Sequence, residues 1–241
     1  MTFRHGRLAE VLWGSATAAQ DVSAFLNSIS WQAQVDTAKV STFKSSWHSF
    51  ISGNAYSSAT MNGYYDSTLT NIRGTLQAAP GVLSYAPAGA TAIGDQVRLL
   101  SFNTVTYNEN ATVSDAVGFD WTAQGTAPAG IGVSLHPLAS ENVGTITGTG
   151  DGIQTSVAGT GLIAHLHVTV YTSGTHQFKL QDATTQGGAY TDIAGAAFTN
   201  MTSAGAQRLV VLGTVRQFVR CVATIGTAAA TYSVSCARFP T

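Results

Sequence analysis

Charged residues are scarce in this sequence. Asp, Glu, Lys and Arg make up 10% of the 241 residues, whereas a typical soluble domain has about 25%. The 11 basic side chains do not outnumber the 12 acidic ones, which argues against a protein that grips nucleic acid through positive charge. An apolar content of 44% is normal for a folded protein and argues against intrinsic disorder.

Cysteine and long apolar runs are also lacking. Only Cys221 and Cys236 occur, which is too few for a disulfide scaffold. We expect two buried free thiols on strands that pair as antiparallel neighbours, with a disulfide between them as the alternative. No apolar run approaches the roughly 18 residues of a membrane-spanning helix. The basic N-terminus has no apolar segment behind it, so we expect no membrane partner and a chain that starts in a cytoplasm.

The motifs of common enzyme classes are missing as well. GxSxG, HExxH, a Walker loop and CxxC do not occur. The sequence therefore predicts no catalytic residue, no metal ion and no cofactor. His165 and His167 point to one face of a strand and, with His176, would suit a metal ion. We interpret them instead as ordinary histidines of a polar strand face.

Alternation of apolar and polar residues is the main pattern that is present. Ile29, Trp31, Ala33 and Val35 alternate with polar residues, and similar runs recur around residues 166–170, 178–180, 219–225 and 232–236. Such alternation is typical of half-buried strands. Turn residues separate the runs, among them the sequence Ser52-Gly53-Asn54. The pattern predicts a mainly β chain built from sandwich or barrel-forming sheets.

One helix and one domain boundary are predicted. Asp66 or Ser67 can cap a helix over Thr68–Ala79, in which Leu69, Ile72 and Leu76 form one apolar stripe. The segment Gly144–Gly161 is rich in Gly and Thr, and we interpret its glycines as a linker rather than a phosphate loop. We therefore expect an α+β domain over residues 1–145 and an all-β sandwich over residues 146–241.

The segment Gln20–Asp66 resembles the major tail (tail tube) proteins of long-tailed bacteriophages. It contains the opening QDVSAFLNSISWQAQVDTAKVSTF and the later SFISGNAYSSATMNGYYD, and the likeness continues through Leu83–Gly89 and Val97–Gly125. The matching positions are Asp21, Val22, Ser23, Leu26, Asn27, Val35, Asp36, Thr37, Ala38, Phe43, Phe50, Gly53, Gly63, Tyr64, Tyr65 and Asp66. The resemblance covers roughly residues 8–138, with a weaker likeness in the C-terminal part.

The resemblance implies a structural virion protein and not an enzyme. Proteins of this family form rings, usually hexameric, that stack into a hollow tube through which the genome passes. Their partners are copies of themselves and other tail proteins: tape measure, tail terminator and distal tail. DNA passes without specific binding. The expected location is the virion tail.

The resemblance also implies site residues. The loop Asp36–Gly53 would reach the adjacent ring, and its stacking residues would be Asp36, Thr37, Lys39, Phe43, Lys44, Trp47 and Phe50. Gln32 and Gln34 are candidates for the tube lumen.

The only basic concentration lies near the C-terminus. Arg216 and Arg220 are four residues apart, so on a strand they would share one face. They are candidates for contacts of the outer domain, with a solvated edge strand as the alternative. For the protein as a whole, the alternative function is a fibre-like or carbohydrate-binding β-sandwich module.

Overall fold

The chain folds almost entirely into β-strands, so the expected mainly β class is confirmed. The computed structural model describes residues 6–40, 50–66, 80–113, 116–149, 151–152 and 159–238. Short 3-10 helices occur at Gly6–Leu8 and Ser23–Phe25. The helix expected over Thr68–Ala79 lies outside the described residues.

The strands of the first part of the chain include three long ones. They are β1 (Glu10–Ser15), β2 (Ala18–Asp21), β3 (Leu26–Lys39), β4 (Phe50–Tyr64), β5 (Gly81–Ala86), β6 (Gln96–Asn110), β7 (Gly118–Gly125) and β8 (Gly130–Glu141). The remaining strands are β9 (Gly144–Thr147), β10 (Asp151–Gly152), β11 (Gly159–Tyr171), β12 (Gln177–Ala183), β13 (Thr191–Ala197), β14 (Gly205–Val215), β15 (Phe218–Ile225) and β16 (Ala230–Arg238).

Most of these strands join one large antiparallel sheet. Its main path runs β14-β11-β16-β8-β6-β5-β1-β2, and β7, β4 and β3 extend it from β6. The strand β6 joins the main path of the sheet to the extension formed by β7, β4 and β3. Its first residues pair with β8, and its residues 102–110 pair with β7 on the same side, while β5 occupies the other side over residues 98–102.

The second sheet has five strands in the order β10-β15-β12-β13, with β9 also paired to β15. It packs face to face on β8, β11, β14 and β16, because alternate residues of both sheets meet in one apolar core. Leu180, Cys221, Tyr232 and Cys236 are among the buried members. We refer to these two packed layers as the C-terminal sandwich.

Strands β1 and β2 fold over the other face of β11 and β14. Gly14 in β1 makes this close approach possible, since a Cβ atom at this position would lie 2.4 Å from the Cβ of Ala206 in β14. A second core lies under β1 and β5 and includes Trp13, Leu83, Phe102 and Trp121. Hydrogen bonds between β8 and β16 join residues from both sides of position 145, and the domain boundary expected there stays a prediction.

Two local expectations were wrong. Ser52-Gly53-Asn54 is not a turn, because these residues continue β4 and Ser52 pairs with Thr37. Cys221 and Cys236 do not lie on neighbouring strands. They belong to different sheets, where both are buried as free thiols.

Candidate functional site

Four strand segments form one continuous part of the large sheet. Its order is β3, β4, β7 and residues 102–110 of β6, all antiparallel. We call it the four-stranded sheet. Its backbone register places residues from all four strands in continuous cross-strand rows, so its two faces can be read directly from the pairing.

One face of the four-stranded sheet is polar from end to end. In β3, the alternation leaves Gln32 and Gln34 on this face, as the sequence predicts, and their side chains hydrogen bond to each other. Paired residues of the neighbouring strands continue the same chemistry. The members of this polar face are Ser28, Ser30, Gln32, Gln34, Tyr56, Ser58, Thr60, Asn62, Asn103, Thr106, Asn108, Asp120, Thr122 and Gln124. All of them are exposed or half-buried.

The polar face carries almost no charge. Asp120 is the one carboxylate among the members just named. Its Oδ2 accepts a hydrogen bond of 2.8 Å from Asn110 Nδ2. None of the members is Lys or Arg. Such a surface offers hydroxyl and amide groups to water and gives a phosphate backbone no cation to bind.

The opposite face is apolar and faces the second core. Trp121 is 1% exposed, packs edge-on against Phe102 and donates from Nε1 to Thr104 Oγ1 at 3.1 Å. Ala59 and Met61 of β4 are buried beside it. Trp31 is half-buried. Trp121 is therefore a core residue of this face.

Both long edges of the four-stranded sheet are open within the described residues. Strand β3 pairs with β4 on one side only, and residues 103–110 of β6 pair with β7 on one side only, because β5 ends opposite Phe102. Unpaired edges of this length are a ready template for strands of another chain. The sequence alone gives no signal for them, since they depend on which distant strands pair.

The β3–β4 hairpin extends past the end of the four-stranded sheet. β7 ends at Gly125, level with Ser57, whereas the hairpin ladder continues to the pair Lys39 and Phe50. Six further residues of β3 span roughly 20 Å. We call this the hairpin end, and the end at residues 110–113 and 116–118 the turn end.

The hairpin end contains part of the expected stacking loop. Asp36, Thr37 and Lys39 are exposed on β3, and Phe50 begins β4. Phe43, Lys44 and Trp47 lie outside the described residues.

The two candidate arginines do not share a strand, so that expectation was wrong. Arg216 lies in the short connection between β14 and β15, where its backbone N–H donates to Asp182 and its guanidinium to Thr191 Oγ1. Arg220 lies on β15, donates twice to Gln181 Oε1 and stacks 4.2 Å above the ring of Tyr190. Both side chains are held by contacts within the C-terminal sandwich.

His165 and His167 are fully buried rather than on a wet strand face. They lie beneath β5, where the hydroxyl of Ser84 is 3.2 Å from His165 Nδ1 and 3.0 Å from His167 Nε2. Burial lowers the pKa of His167 to about 3. Burial also lowers the pKa of His165 well below its usual value, and the neighbouring His167 and Arg208 lower it further. Both rings are neutral at pH 7.

His176 does not join this pair. It accepts a hydrogen bond of 3.1 Å at Nδ1 from the N–H of Gly226. No group of three His, Cys, Asp or Glu among the described residues is placed to hold a metal ion. Burial raises the pKa of Cys221 to about 12, so this thiol is not poised as a nucleophile. No helix in the described part of the chain is long and apolar enough to cross a membrane.

Comparison with known proteins gives structural similarities only. No family model and no curated protein matches the sequence. A chain from the virion of a native gene transfer agent particle matches with 10% identity and a TM-score of 0.43, covering 54% of this chain and 98% of that one.

Two further structures give similar values. A chain from the tail of an empty gene transfer agent particle, refined helically with C6 symmetry, matches with 10% identity and a TM-score of 0.44, over 53% of this chain and 97% of that one. The SPP1 Dit protein, described as a paradigm of the hub adsorption apparatus in phages that infect Gram-positive bacteria, matches over 95% of this chain and 99% of its own length. Its identity is 8% and its TM-score 0.35. Similarity at this level does not assign a function to this chain.

Proposed function

We propose that this chain is a structural subunit of a phage-type virion tail, which polymerises into stacked rings around a hollow tube for the genome. The observation that carries the proposal is the four-stranded sheet, which has one wet, almost uncharged face and two edges to which no described strand pairs. An isolated sheet of this kind leaves its edge N–H and C=O groups to solvent. Pairing β3 of one copy with residues 103–110 of β6 of the next would remove both edges at once.

Closure of such a ring would give a wide channel. In six copies, the number implied by the family resemblance, four strands per copy would make a barrel of about 24 strands, whereas barrels of roughly 16–18 strands already enclose an aqueous channel. The apolar face must remain against the second core of each subunit. The polar face, including Gln32 and Gln34, would therefore line the channel, and the C-terminal sandwich would lie on the tube exterior.

The chemistry of the polar face suits a conduit for DNA. Each Lys or Arg contact to a phosphate adds a salt-dependent hold on the duplex. Hydroxyl and amide side chains exchange their hydrogen bonds with water and leave the genome free to slide. The hairpin end would reach the adjacent ring, with Asp36, Thr37, Lys39 and Phe50 at the base of the stacking loop.

Electron microscopy of the purified protein tests the proposal. At high protein concentration, negatively stained samples should contain rings or tubes with a central, stain-filled channel. A variant that lacks residues 39–48 should give rings without long tubes. Monodisperse monomers or trimers at all concentrations, with affinity for glycans, would favour the fibre-like or carbohydrate-binding module instead.

A further inference from the structure

An apolar groove lies at the base of the hairpin end. It has a volume of about 590 Å³ and lies between the apolar face of the hairpin and the loop Gly125–Ala129. Ala33, Val35 and Ala55 form its floor, and all three are exposed, Val35 at 49%. The groove begins where the second core ends, so the apolar side of β3 continues past the residues that cover it.

Exposed apolar side chains also lie at the turn end of the same sheet. Val113 is fully exposed and Val117 is 36% exposed. Val117 is fixed in place, because its C=O accepts a 2.8 Å hydrogen bond from the N–H of Tyr65. A monomer therefore presents an apolar recess at one end of the four-stranded sheet and apolar projections at the other. Complementary patches at opposite ends of one subunit produce head-to-tail contacts, and these form open filaments.

The charges at the two ends are complementary. Glu109 and Asp120 are the charged residues of the sheet near its turn end. At the hairpin end, Lys39 offsets Asp36, and Arg208 lies behind the groove wall, where its Nη2 donates to the C=O of Pro128 at 3.3 Å. Acidic groups at one end thus meet a neutral to basic surface at the other.

We propose that this groove is the docking site for the turn end of a second copy of the chain in the next ring, with Val113 and Val117 seated against Ala33, Val35 and Ala55. This inference rests on the proposed function and assigns its ring-to-ring contact to described residues. The contact is heterologous, so every copy uses its groove once and its turn end once.

Disulfide crosslinking tests the contact directly. A chain that carries both Val35→Cys and Val113→Cys should form a ladder of dimers, trimers and larger species under mild oxidation, because docking holds the two thiols at a high effective concentration. We expect at least about tenfold more multimer than with the matched pair Val143→Cys and Val113→Cys. Val143 is a suitable control position because it is 59% exposed and lies outside the four-stranded sheet. The native thiols are buried in both variants.

The outcomes separate the two proposals when the same samples are imaged. A ladder equal to that of the control pair, in a sample that contains tubes, would overturn the docking site and leave the tube function intact. A strong ladder in a sample without rings or tubes would support head-to-tail docking and contradict the tube function. A strong ladder in tubes supports both.

Discussion

The C-terminal sandwich and the four-stranded sheet are both built from strands that alternate apolar and polar residues, but the two regions cover their faces and edges differently. In the sandwich, two sheets bury their apolar faces against each other, with Leu180 and Tyr232 completely inaccessible. In the four-stranded sheet, one face is wet, no described strand pairs with either outer edge, and Val35 is half exposed. The first region therefore needs no partner to bury its apolar faces, whereas under the proposed function the second region would gain its partners through assembly. Substitutions should therefore affect folding in the first region and assembly in the second.

Acid should destabilise the contact between β5 and β11 of the C-terminal sandwich more than any single substitution considered below. His165 and His167 have folded pKa values below the ordinary value of 6.5, so the unfolded chain binds more protons below that pH. Their stabilising contribution is complete above pH 6.5 and is lost as the pH falls below it, for His167 towards about 3. Each histidine contributes a slope of about 1.4 kcal/mol per pH unit.

Glu10 changes the stability of the folded chain with pH in the opposite direction. Burial, and then the charge of Asp21, raises its pKa to about 7, so the folded chain binds the extra proton between pH 4.5 and 7 and gains stability as the pH falls. Urea unfolding between pH 7 and 4.5 should still show a net loss, because two histidines act against one glutamate. Glu10→Gln should make the loss steeper and His167→Gln should make it shallower. A flat profile would contradict the buried, neutral state of the histidines.

Leu180→Ala should weaken the C-terminal sandwich strongly. Leu180 is 0% exposed in the larger core, and such truncations cost about 2–5 kcal/mol. Gln177→Ala, on the exposed face of the same strand β12, should change the free energy of unfolding by less than about 0.5 kcal/mol. Chemical denaturation of both variants measures the difference, and equal midpoints would show that this core does not control stability.

Gly14→Ala should loosen the packing of β1 on β14. The new methyl group would overlap the Cβ of Ala206, which lies 2.4 Å away, and overpacking of this kind costs about 1–3 kcal/mol. Gly14→Ala combined with Ala206→Gly moves the methyl group to the other strand and should recover most of the loss. Failure of the second substitution to restore the unfolding midpoint would assign the effect to the backbone of β1 rather than to this contact.

Local pattern predicted the faces of strands well. The alternation around Trp31 and Gln32 in β3 depends only on residues that are adjacent in the sequence, so it predicts which face each side chain occupies. Properties that depend on distant pairing were not predictable in this way. Ser52-Gly53-Asn54 is typical of a turn, yet these residues lie within β4, which pairs with β3 at this point. His165 and His167 alternate as if on a wet face, yet β5 covers them. The open edges of β3 and β6 likewise follow from sheet order.

Lysine on the polar face should have the smallest effect on folding and a specific effect on function. Gln32→Lys with Gln34→Lys replaces exposed side chains, so the free energy of unfolding should change by less than about 0.5 kcal/mol. If the polar face lines the channel, each ring would gain a band of positive charge, and assembled protein should retain duplex DNA at low salt and release it as salt rises. Gln186→Lys, exposed on the C-terminal sandwich, adds one positive charge outside the sheet. Equal DNA retention per added charge in both variants would place Gln32 and Gln34 outside the channel.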